Sequence, residues 1–154
     1  MADPQKRLET MLAKLKEKEM RITPQRFAVL KILSESSEHP SVERIYEQVR
    51  GDFPTTSLAT IYKTIILLKG IGEVLEIGFG DGSSRYDGNK PYPHPHLICT
   101  RCRTIIDPDL DSLHDMTAEV SEETGFRITS HRLDFFGLFR VSEKQIISEN
   151  MSLL

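Results

Sequence analysis

Apolar residues recur at helical spacing through the first part of the chain and at alternate positions after it. That change of period predicts the architecture. Leu8, Met11, Leu12 and Leu15 predict an amphipathic helix over residues 5–18. Thr23-Pro24 is a start signal, a hydroxyl N-cap followed by proline at the first helical position. It opens a second helix with Phe27, Val29, Leu30 and Leu33 as its apolar face. Ser41 caps a third helix whose Val42, Ile45, Tyr46 and Val49 face inward, with Gly51 closing it. Pro54 to Ser57 offers several caps for a fourth helix, from Leu58 to about Lys69 and ended by Gly70. Ile61, Ile65, Leu68 and Leu58 form its buried stripe. Thr60, Tyr62, Lys63 and Thr64 are expected on the other side.

From Glu73 the period becomes two. Val74, Glu76, Ile77 and Phe79 predict a strand, Gly80-Asp81-Gly82 a tight turn, and Ser84 to Tyr86 a returning strand. Helices followed by one hairpin outline a winged helix-turn-helix. In such a unit the second helix of the pair enters the major groove with its N-terminal residues nearest the bases. The fourth helix takes that place, which makes Ser57, Thr60 and Tyr62 candidate DNA contacts. Tyr62 reads as a base or sugar contact, against the alternative of a core aromatic. Arg26 and Lys63 read as phosphate contacts, which position without specifying.

Residues 88–95 are rich in Gly, Asn and Pro and read as a hinge. After it, short strands at His96–Cys99 and Thr104–Ile106 flank a C-x-x-C turn. A helix is expected over 109–124, with Leu110, Leu113, Met116 and Val120 at helical spacing and Gly125 as its cap. Phe126, Ile128, Leu133, Phe135 and Leu138 make one irregular strand or two, and residues 142–154 a short helix. The fold class is therefore α/β in the α+β sense. The domains run 1–87 for DNA binding and 96–154 for the remainder, with the hinge between them.

Composition bounds the function. The chain has 154 residues, 38% hydrophobic and 28% charged, as expected of a folded soluble protein whose halves would each be marginal alone. No apolar run is long enough to span a bilayer, and the charged N-terminus lacks the apolar core of a signal peptide, so a cytoplasmic protein is expected. The two cysteines, both in one C-x-x-C, suit a reducing compartment. Net charge is −3, but residues 1–85 carry +1 and residues 86–154 carry −4. Lys14, Lys16, Lys18, Arg21, Arg26 and Lys31 concentrate the positive charge. This hints at an anionic partner, although solvated helix faces explain it equally well.

The candidate chemistry lies between Arg85 and Asp107. His94 and His96 are two apart, so an extended backbone turns both rings to one face. Asp87 and Asp107 flank them. Imidazole and carboxylate together suit iron, manganese or zinc. Cys99 and Cys102 form a softer pair between two strands, away from the helix N-terminus that a thioredoxin-like role needs.

The order of these parts resembles the ferric uptake regulator family and, within it, the peroxide-responsive repressors. The resemblance runs from about residue 8 to residue 140. It is carried by Arg21-Ile22-Thr23-Pro24-Gln25-Arg26, His39-Pro40, Ser57-Leu58-Ala59-Thr60-Ile61-Tyr62, Ser84-Arg85-Tyr86-Asp87, His94-Pro95-His96-Leu97-Ile98-Cys99, Cys102 through Asp107, and Ser130-His131-Arg132-Leu133. It implies a homodimer on a palindromic double-stranded DNA operator, with an N-terminal winged helix and a C-terminal α/β dimerisation domain. It implies a regulatory Fe(II) or Mn(II) site, with Zn(II) as an occupant in isolated protein, held by His39, Asp87, His94, His96 and Asp107. Asp107 matches the peroxide sensors, where the iron-uptake regulators usually have glutamate. The resemblance also implies that oxidation of a ligand imidazole, at His39 or His94, releases DNA.

The chain departs from the family in lacking a second C-x-x-C. Phe139 and Ser142 stand at the matching positions, and two thiolates do not close a tetrahedral zinc site. Structural zinc of that kind is therefore not expected. His114 and His131 are candidates for a second metal site, against the ordinary reading of packed or solvated histidines. Pro95 stands where some relatives have an aspartate between the paired histidines. The alternatives to a peroxide sensor are an iron- or zinc-uptake regulator and, from another class, a small non-haem iron enzyme using two histidines and one carboxylate.

Overall fold

The structure is a computed structural model and describes residues 3–138. The chain divides after His94 into two compact units.

The first unit holds four helices and a hairpin: α1 (Pro4–Glu17), α2 (Pro24–Glu35), α3 (Val42–Asp52), α4 (Leu58–Gly70), β1 (Leu75–Gly78) and β2 (Ser84–Asp87). Four helix starts are capped by side chains that accept a backbone N–H: Asp3 from Gln5, Thr23 from Arg26, Ser41 from Arg44 and Ser57 from Thr60. Each satisfies a donor that the first turn leaves without a partner. Met11, Leu15, Val29, Leu30, Leu33, Ile45, Ile61 and Leu68 fill one core from all four helices. β1 and β2 pair antiparallel, Leu75 opposite Asp87 and Gly78 opposite Ser84. Gly80 and Gly82 adopt the left-handed backbone that turns the hairpin. Helix pair plus hairpin is the winged helix-turn-helix arrangement.

Several expectations are corrected. Phe27 is exposed: it sits about 110° round α2 from the centre of the stripe formed by Val29, Leu30 and Leu33. Leu58 is likewise exposed, at the first position of α4. Thr64 is buried, because it lies only about 40° round the helix from Leu68 and about 60° from Ile61, and its hydroxyl is satisfied by the Thr60 carbonyl at 3.0 Å. α3 continues through Gly51 to Asp52, and the chain leaves the helix at Phe53.

The described part of the second unit holds β3 (His96–Cys99), β4 (Ile105–Ile106), α5 (Ser112–Thr124) and β5 (Asp134–Gly137). The sheet order is β4-β3-β5, with β3 antiparallel to β4 and parallel to β5. α5 starts three residues later than expected from Asp109, and Gly125 caps it in the left-handed conformation. After α5 the described residues hold one strand, Asp134–Gly137, and Phe126, Ile128, Leu133 and Leu138 lie outside it. No residue of α5 is buried, and Met116, Val120, Phe126, Phe136 and Leu138 are exposed. The helix expected over 142–154 lies outside the described residues.

Candidate metal centre

Three side chains of the first unit converge at the end of β2. Asp87 is its last residue and is buried. The two carboxylate oxygens have separate tasks. Oδ1 accepts the backbone N–H groups of Asn89 and Lys90, both at 2.8 Å, which turns the chain immediately after the strand. Oδ2 lies 3.1 Å from His39 Nε2 and 3.3 Å from His94 Nε2. His94 Nδ1 is 2.7 Å from the Tyr92 carbonyl. A carbonyl only accepts, so Nδ1 carries the proton and neutral His94 directs the lone pair of Nε2 towards Asp87. A lone pair facing a carboxylate oxygen at this range calls for a cation between them, either a proton or a metal. His39, Asp87 and His94 each offer one ligand atom, and these atoms lie within 4.8 Å of one another. Burial alone would raise the Asp87 carboxyl. The imidazoles of His39 and His94 and the Lys90 amide outweigh it and hold the group well below the ordinary carboxylate range. The carboxylate is therefore ionised at neutral pH and ready as a hard oxygen donor.

Two elements place these side chains. Gly88 follows Asp87 against α1 and α2, where a Cβ would lie 2.6 Å from Leu33 Cβ. The Arg7 guanidinium donates to the Gly88 carbonyl at 2.6 Å, and Asn89 Nδ2 donates to the Ser34 carbonyl at 2.9 Å. His39 has φ 51°, a left-handed conformation that costs a non-glycine residue about 1–2 kcal/mol.

In the second unit, His96 opens β3 and Asp107 follows β4, with ligand atoms of the two again within 4.8 Å. His96 Nδ1 lies 3.3 Å from Asp134 Oδ1, and Arg132 holds Asp134 Oδ2 through Nε and Nη2, both at 2.6 Å. A carboxylate behind an imidazole fixes the ring and its tautomer and leaves Nε2 for a metal. The sequence reading missed Asp134. Its signal was the alternation Arg132-x-Asp134 beside the strand. Asp134→Ala is expected to weaken Mn(II) affinity roughly 10- to 100-fold, measured by competition with a chelating dye; an unchanged affinity would show that His96 needs no such support.

The donor set of imidazole nitrogen and carboxylate oxygen fits Fe(II), Mn(II) or Zn(II). Among the described residues no cluster of three or more such ligands includes His114 or His131. His114 is exposed on α5, and His131 precedes β5. Cys99 ends β3 and is buried, while Cys102 is exposed with its Sγ 3.2 Å from Thr104 Oγ1. Phe139 and Ser142 lie outside the described residues.

The DNA-contact candidates gather at the start of α4. Ser57 and Thr60 share a hydroxyl contact of 3.0 Å, and Tyr62 and Lys63 are exposed. Arg26 is half-buried and donates one nitrogen to the Arg21 carbonyl. No helix among the described residues is long and apolar enough to cross a membrane.

The ferric uptake regulator family model matches residues 17–136. The chain is 40% identical over 131 residues to the peroxide-responsive repressor PerR of Staphylococcus aureus, covering 85% of this chain and 88% of that protein. Among solved structures it resembles the Campylobacter jejuni peroxide stress regulator, with 30% identity, a TM-score of 0.68, and coverage of 86% of this chain and 97% of that one. The Helicobacter pylori ferric uptake regulator, at 23% identity, shares the fold with a TM-score of 0.77 over 92% of this chain and 96% of that one. With its winged helix, its small mixed sheet and its buried histidine–aspartate cluster, the chain belongs to the ferric uptake regulator family.

Proposed function

We propose that this protein is a homodimeric, metal-dependent repressor that senses hydrogen peroxide through oxidation of a ligand histidine and then releases a palindromic operator. One observation carries the reading: Asp87 Oδ2 lies against the Nε2 atoms of His39 and His94, with the His94 proton committed to the Tyr92 carbonyl. One Fe(II) or Mn(II) ion would take His39, Asp87 and His94 from the first unit and His96 and Asp107 from the second. An ion that favours one arrangement of the two units raises the population of the DNA-binding form. Ser57, Thr60, Tyr62, Lys63 and Arg26 are the proposed DNA contacts. The exposed apolar side chains of α5 and β5 support dimerisation through the second unit.

Fe(II) held by these residues would supply the electron that activates peroxide. The protein's part is to hold the buried imidazoles of His39 and His94 beside that ion, with the His94 tautomer set by the Tyr92 carbonyl. Mn(II) in the same donor set gives a repressor insensitive to peroxide. The test is a stoichiometric pulse of peroxide on Fe(II)-loaded protein. Mass spectrometry is expected to find one added oxygen on His39 or His94, together with loss of operator binding. Unmodified histidines with operator binding retained would instead indicate a regulator of iron or zinc uptake that answers to metal level.

A further inference from the structure

The left-handed backbone of His39 is gripped from one strand. Arg85 Nε donates to the His39 carbonyl, and Arg85 Nη2 donates to the Glu38 carbonyl at 2.9 Å. Tyr86 N–H donates to the Pro40 carbonyl at 3.0 Å. Two residues on from Arg85, Asp87 Oδ2 meets the His39 ring. Residues 85 and 87 of a strand share a face, so β2 holds His39 by its backbone and its side chain at once. The Tyr86 side chain, on the opposite face, packs into the core.

From this geometry we infer that Arg85 is a positioning residue of the metal centre. It fixes the Glu38–His39 backbone so that the imidazole stands opposite Asp87 before any metal arrives. This rests on the metal-centre reading above and adds to it a residue that touches no metal. Arginine suits the task because its rigid, planar fork meets two successive carbonyls, whereas a lysine ammonium offers a single point of donation. Without the fork, residue 39 is free to leave the left-handed region, and each metal-binding event must then reorder it.

The test measures Mn(II) affinity by chelator competition for the full-length protein and for Arg85→Met, Arg85→Lys, His39→Ala, Asp87→Ala and the double variant His39→Ala/Arg85→Met. Arg85→Met is expected to weaken Mn(II) about 10- to 100-fold, as loss of an outer partner does, with Arg85→Lys between it and the wild type. Because Arg85 is half-exposed, thermal unfolding of the metal-free protein should hardly change, and saturating Mn(II) should restore operator binding to the wild-type level. The deciding readout is the double variant. If Arg85 acts through His39, Arg85→Met costs little further affinity once His39 is alanine. Equal losses in both backgrounds, or no loss in Arg85→Met alone, would overturn the inference. Unchanged affinity in His39→Ala and Asp87→Ala would instead overturn the metal-centre reading, and this inference with it.

Discussion

Replacing Asp87 by asparagine is expected to weaken Mn(II) binding by about 100-fold or more, beyond the loss of an outer-shell partner, while leaving the fold of the metal-free protein intact. The substitution separates the two tasks of this side chain. The amide oxygen still accepts from the backbone of Asn89 and Lys90, so the turn after β2 is preserved. The amide nitrogen replaces Oδ2, the oxygen that faces His39 Nε2 and His94 Nε2. A neutral donor stands where an anionic acceptor was, and the site loses its charge and one ligand atom together. Metal-dependent operator binding, followed by fluorescence anisotropy across a Mn(II) titration, should shift to correspondingly higher metal concentration or disappear. Asp87→Ala removes both oxygens and should in addition lower the melting temperature. If Asp87→Asn binds Mn(II) as well as wild type, Asp87 serves the turn and not the metal.

The second large effect is expected at Arg7. This side chain of α1 is buried and spends its guanidinium on three acceptors: the Glu73 carboxylate at 2.6 Å, the Glu73 carbonyl at 2.7 Å and the Gly88 carbonyl at 2.6 Å. Arg7→Ala strands the buried Glu73 charge and two carbonyls. Breaking a buried pair from one side costs about 3–5 kcal/mol. Lys14, 3.7 Å from Glu73 Oε1 and half-exposed, offsets part of this and places the expected loss near the lower bound. A fall of about 10 °C in melting temperature follows at roughly 2–4 °C per kcal/mol for a chain of this size. The double variant Arg7→Met/Glu73→Leu should recover a large share, because it buries no charge. If Arg7→Ala loses less than about 1 kcal/mol, the value typical of an exposed pair, then water or Lys14 replaces the guanidinium and the pair is not what holds α1 to the turn beside Asp87.

Local rules acting over a few residues are what the sequence by itself determined. The hydroxyls of Thr23 and Ser41 cap the helices they were expected to cap, and Ser57 is the one of several candidates that caps α4, since a cap needs only its own first turn. The buried stripes centred on Leu30, Ile45 and Ile65 follow from a period of 3.6 residues, and the hairpin follows from the change to a period of two around the turn at Gly80 and Gly82. Asp87, His94, His96 and Asp107 were legible as candidate ligands because they crowd one stretch. His39 entered only through the family resemblance, because nothing in the residues around it marks it.

Tertiary structure decided whatever joins distant parts of the chain. Sequence period could not say that β5 would pair parallel to β3, because strand partners 38 residues apart are chosen by packing and not by local pattern. It could not say that Arg7 would be buried against Glu73 and Gly88, or that Asp134 would stand behind His96, since a charged residue reads as solvated until its partner is known. Nor could it show that Arg85 would hold His39 in a left-handed backbone. A histidine does not announce that conformation in sequence, and the hydrogen bonds around it come from a strand 46 residues further along the chain. The residue types of the candidate ligands were written in the sequence. Their orientation, tautomer and support came only from folding, because each depends on a contact across the fold.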